Sequence, residues 1–164
     1  MKTQNLNLFI VDDNRLMAGG LKKYINNFFG NRVNVSTFYT GDSCLQKFDE
    51  KVDVVVLDYS FDGKGGNTKN GLDILQTIKQ RNPETDVIML SSCDEMKVVA
   101  QSLKYGATDY IIKERNSWDK VCKLLSSNML ASIKRIIPEF SIKKYLLLFF
   151  AIFLTIGKIA ALIT

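Results

Sequence analysis

The stretch VVVLDYSFDGKGGNTKNGLDIL, residues 54–75, carries the reading on which the fold turns. Its apolar run, VVVL, has the length and β-branched composition of a strand buried on both faces of a sheet. The run stops on a carboxylate, Asp58, and gives way to a loop rich in glycine, lysine and asparagine. A charge at the end of a buried strand is costly unless it is paired or binds an ion, so Asp58 needs a partner.

The same pattern recurs in both directions. Short apolar runs occupy Leu6–Val11, Val33–Phe38, 52–57, 86–90 and Asp109–Ile112. Between them lie segments of helical spacing, such as Leu16, Leu21, Ile25 and Phe28, then Leu72, Leu75 and Ile78. Alternating strand and helix predict a doubly wound α/β domain, a parallel sheet with helices on both faces and right-handed crossovers. Functional groups of such sheets collect outside the carboxyl ends of the strands. Asp12 and Asp13 follow the first strand, Asp58 the third, Ser91 and Ser92 the fourth, and Lys113 the fifth.

Three carboxylates brought together raise one another's pKa unless a cation neutralises them. With no histidine in the chain and no cysteine at metal-ligand spacing, an all-oxygen site favours Mg²⁺, which takes one or two carboxylates and keeps room for phosphate oxygens. Lys113 would pair with a transferred phosphoryl group, the Ser91 hydroxyl would donate to one of its oxygens, and Asp58 would be the nucleophile, since carboxylates form acyl-phosphates. Taken singly these residues have plainer uses. Asp13 or Asn14 would cap the first helix, Ser91 and Ser92 a helix beginning near Asp94, and Lys113 would be a surface cation. Their convergence on one sheet edge argues for a site.

In this order and spacing, IVDDN, VVLDYS, VIMLSS and GATDYIIK resemble the receiver domain of two-component response regulators, over residues 5–130. The resemblance implies a flavodoxin-like five-stranded sheet of order 2-1-3-4-5. It implies that Asp58 accepts a phosphoryl group from a histidine kinase or phosphotransfer protein. Asp13, Asp58 and the backbone carbonyl of Ser60 would hold Mg²⁺, and Asp12 would act mostly through metal-bound water. Ser91 and Lys113 would hold the phosphoryl group, and Tyr110 would be the aromatic switch that changes rotamer when Ser91 moves inward.

Three features depart from the family pattern. The segment from Asp58 to Gly71 is longer than usual and lacks a proline, with Lys64 and Lys69 in the inserted loop. Glu114 follows Lys113 where the family has proline after a cis bond; a non-proline cis bond costs about 3–4 kcal/mol, so a trans bond is expected. Cys93 stands two residues past Ser91, where side chains of the family influence acyl-phosphate hydrolysis. Other phosphate chemistries fit worse. GKGGNTKN lacks the Gly-Lys-Ser/Thr of a P-loop. A haloacid-type phosphatase would need a second aspartate where Ser60 stands.

The formal net charge of +5 is unevenly placed: 17 basic and 16 acidic residues lie through residue 133, then five basic and one acidic. That argues against nucleic-acid binding by the globular part, which would carry its own basic stripe. The three cysteines, Cys44, Cys93 and Cys122, read as reduced thiols of a cytosolic protein. The N-terminal apolar run is broken by aspartates too early for a signal peptide.

Residues 131–144 are basic and contain Pro138; they read as a linker or as a continuing helix interrupted near that proline. Residues 145–164, YLLLFFAIFLTIGKIAALIT, carry one charge in 20 residues, Lys158. As a helix that length spans about 30 Å, one hydrocarbon core. Lys134, Arg135, Lys143 and Lys144 place its near side in the cytoplasm.

The expected protein is therefore a phosphoaccepting signalling module rather than an enzyme, with slow self-dephosphorylation at most. It would consist of a receiver (1–130), a basic linker (131–144) and a hydrophobic helix (145–164), with no output domain of its own. It would be tethered to the cytoplasmic face of a bacterial inner membrane, and be free in the cytoplasm if the last helix packs in an oligomer interface instead. The alternative function is a scaffold that keeps the receiver fold without cycling phosphate.

Overall fold

The computed structural model describes residues 5–60 and 70–136. Strands β1 (Leu6–Val11), β2 (Val33–Phe38), β3 (Val54–Leu57), β4 (Asp86–Ser91) and β5 (Asp109–Ile112) alternate with helices α1 (Arg15–Phe29), α2 (Gly41–Lys47), α3 (Gly71–Arg81), α4 (Met96–Lys104) and α5 (Ser117–Ile136). Among the described residues the strands form one parallel sheet of order β2-β1-β3-β4-β5. The chain divides into two compact units, residues 1–124 and 125–164, and the sheet lies in the first.

The opening run explains itself in this setting. All four residues of β3 are buried because it is the central strand and both of its faces are covered. Val55 and Leu57 join a core with Cys44 and Leu45 of α2 and Ile74 and Ile78 of α3, whereas Val56 faces Ala18 and Leu21 of α1. Burial pushes the Cys44 thiol up to about 12 and the Cys122 thiol up to about 11, so both stay protonated at neutral pH.

Several boundaries differ from expectation. The apolar face of α1 is Ala18, Leu21, Ile25 and Phe29, not one that includes Leu16 and Phe28, which are 87% and 57% exposed. The spacing was ambiguous by one residue, and alanine is the inward residue of the first turn. β3 starts two residues later than the apolar run because the Val52 N–H turns back onto the Asp49 carbonyl. β4 extends to Ser91, whose carbonyl accepts the Lys113 N–H. α5 runs on to Ile136, so residues 131–136 follow the second of the two expected readings, a continuing helix, and Pro138 lies outside the described residues. The expected hydrophobic helix at 145–164 lies outside the described residues; among these, no helix is long and apolar enough to cross a membrane.

Two adjacent glycines interrupt α1, although glycine inside a helix is worse than alanine by about 1 kcal/mol. At Gly20 a Cβ would stand 2.7 Å from Cη2 of Trp118, so the close approach of α5 requires it. At Gly19 a Cβ would meet nothing within 4 Å, and nothing in the structure explains that glycine.

Candidate functional site

Backbone hydrogen bonds fix the residues just beyond the strands. The Asp12 N–H donates to the Phe38 carbonyl at 3.1 Å, the Asp58 N–H to Val11 at 2.9 Å, and the Lys113 N–H to Ser91 at 2.8 Å. Each side chain of interest thus leaves the sheet from a held backbone at its carboxyl edge.

Lys113 joins the carboxylates. Its Nζ donates to Asp58 Oδ2 at 2.8 Å and to Asp12 Oδ2 at 2.9 Å. The side chains are only 13% exposed for Lys113 and 7% for each aspartate, so these are buried ion pairs and not surface ones. Asp13, half-buried, completes a group in which one oxygen of each of the three carboxylates lies within 4.8 Å of the others. Lys113 reaches both partners from a trans backbone, for no described peptide bond is cis.

Burial raises the Asp58 carboxyl above its ordinary pKa; the Lys113 hydrogen bond and charge pull it down, and the Asp12 charge adds to the rise. Burial by itself would lower Lys113, but its hydrogen bonds to Asp58 and Asp12 and their charges outweigh that and hold it above the ordinary lysine value. One cation serves two desolvated anions.

The hydroxyls stand nearby. Ser91 is fully buried at the end of β4, and its Oγ accepts the Cys93 N–H at 3.1 Å. Tyr110 is half-buried and donates its hydroxyl to the Cys93 carbonyl at 2.7 Å. Burial raises the phenol, while its hydrogen bond with Ser91 works the other way. Neither Ser91 nor Asp13 caps a helix. α1 is capped by the Asn14 side chain, which accepts from the Leu16 and Met17 N–H groups, and α4 has no side-chain cap. The Asp12 carboxylate accepts the Asn14 N–H at 2.9 Å, which orients it toward Lys113.

Gly71 is a site residue that composition alone hid. A Cβ there would meet the Asp58 carbonyl oxygen and stand 2.6 Å from the Tyr59 Cα, both backbone atoms that cannot rotate aside. The Gly71 N–H donates to the Tyr59 carbonyl at 3.0 Å, and Asn70 closes a capping box with Asp73. The loop before α3 is thereby pinned against the reactive strand end. Gly71→Ala is expected to cost about 1–3 kcal/mol, as overpacking does. Urea unfolding checks it; an unchanged midpoint would show that the backbone yields freely. The expected inserted loop, with Lys64 and Lys69, lies outside the described residues except for Asn70.

Residues 8–124 match the family described as Response regulator receiver domain. This chain belongs to that family. The receiver domain is 31% identical over 110 residues to the transcriptional regulatory protein MalR of Bacillus subtilis, a match covering 66% of this chain and 44% of MalR. The chain thus spans less than half the length of that relative. It is 31% identical over 109 residues to the chemotaxis protein CheY of Listeria monocytogenes, covering 66% of this chain and 86% of that protein.

Among solved structures, the BeF3-activated receiver domain of DrrB, a Thermotoga maritima protein, superposes with a TM-score of 0.64 at 25% identity, covering 77% of this chain and 98% of the other. A receiver domain protein from Clostridium thermocellum shares the fold, with a TM-score of 0.62 at 24% identity and coverage of 79% and 95%.

Receiver domains bind Mg²⁺ at this acidic pocket, and the donor set here fits that ion. The three carboxylates supply hard oxygens at close range, as Mg²⁺ requires. Ser60 is exposed, and its N–H donates to Asp58 Oδ1 at 3.3 Å.

Proposed function

We propose that this receiver domain takes a phosphoryl group onto Asp58 from a histidine kinase or phosphotransfer protein. The observation that carries the reading is Lys113 bridging Asp58 and Asp12 at 2.8 and 2.9 Å beside a third carboxylate. Asp13, Asp58 and the Ser60 carbonyl would hold Mg²⁺, with Asp12 acting through ordered water. The ion supplies positive charge that lets the carboxylates stay ionised together and offsets the phosphoryl oxygens.

An oxygen of the Asp58 carboxylate forms the bond to phosphorus as the donor's phosphorus–nitrogen bond breaks, and that electron pair leaves with the donor's ring nitrogen. The Lys113 ammonium pairs with the arriving phosphoryl oxygens. The Ser91 hydroxyl, turned from its present bond at Cys93, donates to another. Tyr110, which shares the Cys93 backbone with Ser91, then has a reason to change rotamer.

Incubation with acetyl phosphate and Mg²⁺ followed by intact mass should show one phosphoryl group added. Absence of labelling with every donor tried would favour the non-cycling scaffold.

We further propose that the apolar segment 145–164 holds the receiver at the cytoplasmic face of a membrane, on the strength of its length, its apolar composition and the basic residues before it. The full chain is expected to stay with membranes through high-salt and alkaline carbonate washes, because apolar burial does not weaken with salt whereas lysine attraction to head groups does. Release by salt alone would replace the anchor with electrostatic attachment. Replacing Leu148 and Phe149 with arginine should abolish retention, since each arginine costs about 2.5–3.5 kcal/mol near the helix centre.

A further inference from the structure

Trp118, the single tryptophan, stands behind the site. Its indole lines one narrow crevice together with Asp12 and Asp58, and the remaining walls are apolar, among them Ile10, Leu21 and Val56. The crevice has no room for a water molecule.

The ring packs on α1. On α1, a Cβ at Gly20 would come 2.7 Å from it, its centroid lies 5.6 Å from that of Tyr24, and the Tyr24 hydroxyl donates to the neighbouring Asp119. In the chain just before Trp118, the turn from Lys113 is closed by the N–H and Oγ of Ser117, which donate to the Glu114 carbonyl at 3.1 and 2.9 Å. The indole therefore lines the crevice of the carboxylates, and its residue directly follows the turn that carries their cation.

We propose that Trp118 is a positioning residue of the phosphoryl site, the wall that holds Asp12 and Asp58 within reach of Lys113 and keeps water from behind them. The proposal rests on the phosphoacceptor reading of Asp58. With the wall cut back, water enters behind the carboxylates and they gain freedom to turn away from Lys113. Gly20 is the complementary half of the device, since only a residue without a Cβ lets α1 carry the ring.

The test uses the full chain in detergent, with labelling by acetyl phosphate at saturating Mg²⁺ followed by intact mass, and circular dichroism of every variant first. Trp118→Ala should label slower by about tenfold or more, the scale on which small misplacements act. Gly20→Ala, which pushes the ring off its seat, should slow labelling in the same direction, and it decides the matter if Trp118→Ala does not fold. Trp118→Phe should stay near the wild-type rate, as should Gly19→Ala, which improves the helix without touching the ring.

Indole emission of the wild type should shift on addition of Mg²⁺ and again on phosphorylation, a signature that a purely structural tryptophan would not give. Wild-type rates in folded Trp118→Ala and Gly20→Ala, or an emission unmoved by both additions, would overturn the proposal while leaving Asp58 as acceptor. Failure of the wild type itself to label would overturn the acceptor reading and this inference with it.

Discussion

Asp58→Asn is expected to take up no phosphoryl group, and to melt no lower than the wild type in the absence of Mg²⁺. The amide keeps the shape of the side chain and its oxygen still accepts from Lys113, but it has no lone pair basic enough to attack phosphorus at neutral pH. Stability follows from the raised pKa of Asp58. A carboxyl whose pKa is higher in the folded than in the unfolded chain contributes stability that is full below the unfolded value and is lost as pH rises through the folded one.

At pH 7 the wild type therefore bears the cost of desolvating the Asp58 carboxylate, which the amide does not. Below the unfolded pKa both proteins are neutral there, and that difference should vanish. Thermal melts from pH 3 to pH 8 check this. An Asn variant markedly less stable at pH 7 would mean that Lys113 more than offsets the burial.

Lys113→Met should lose about 3–5 kcal/mol, the range for removing one partner of a buried pair. The low exposure of the three side chains places them in that class and not among surface pairs worth about 0–1 kcal/mol. The raised pKa of Lys113 has the same sign consequence on the basic side. Its stabilisation is complete at neutral pH and lost only as pH rises through its folded value, above the ordinary lysine range.

In the variant Asp12 and Asp58 face each other without a cation, so the deficit should shrink as acid protonates them. Mg²⁺ at about 100 times its dissociation constant would add about 2.7 kcal/mol by linkage. Urea midpoints with and without Mg²⁺, at pH 7 and pH 4, measure all of this. A deficit under about 1 kcal/mol that is indifferent to both would mean that the ammonium contributes nothing to holding the carboxylates.

The sheet was legible because each strand is a short apolar run and the central one is buried on both faces. The site was legible because its parts stand immediately after strands, where chain direction alone sends Asp12, Asp58 and Lys113 to one edge. Helix faces were harder to read. Leu16 and Phe28 are as apolar as the residues that pack, and only the tertiary contacts select Ala18 and Phe29 instead.

The supporting residues were hidden for a different reason. Gly71 matters through a backbone approach to Asp58 and Tyr59 that no residue type announces. Trp118 matters through the crevice it shares with Asp12 and Asp58, which depends on how α1 and the start of α5 meet.

The central claim is that Asp58, and not one of its acidic neighbours, carries the phosphoryl group. Borohydride reduces an acyl-phosphate to the corresponding alcohol, leaving homoserine in place of aspartate. After treatment with acetyl phosphate and Mg²⁺, reduction and proteolysis, peptide mass spectrometry should find that change at Asp58 alone and only in the phosphorylated sample. Reduction at Asp12 or Asp13, or a labelled protein with no reduced aspartate at 58, would contradict the account.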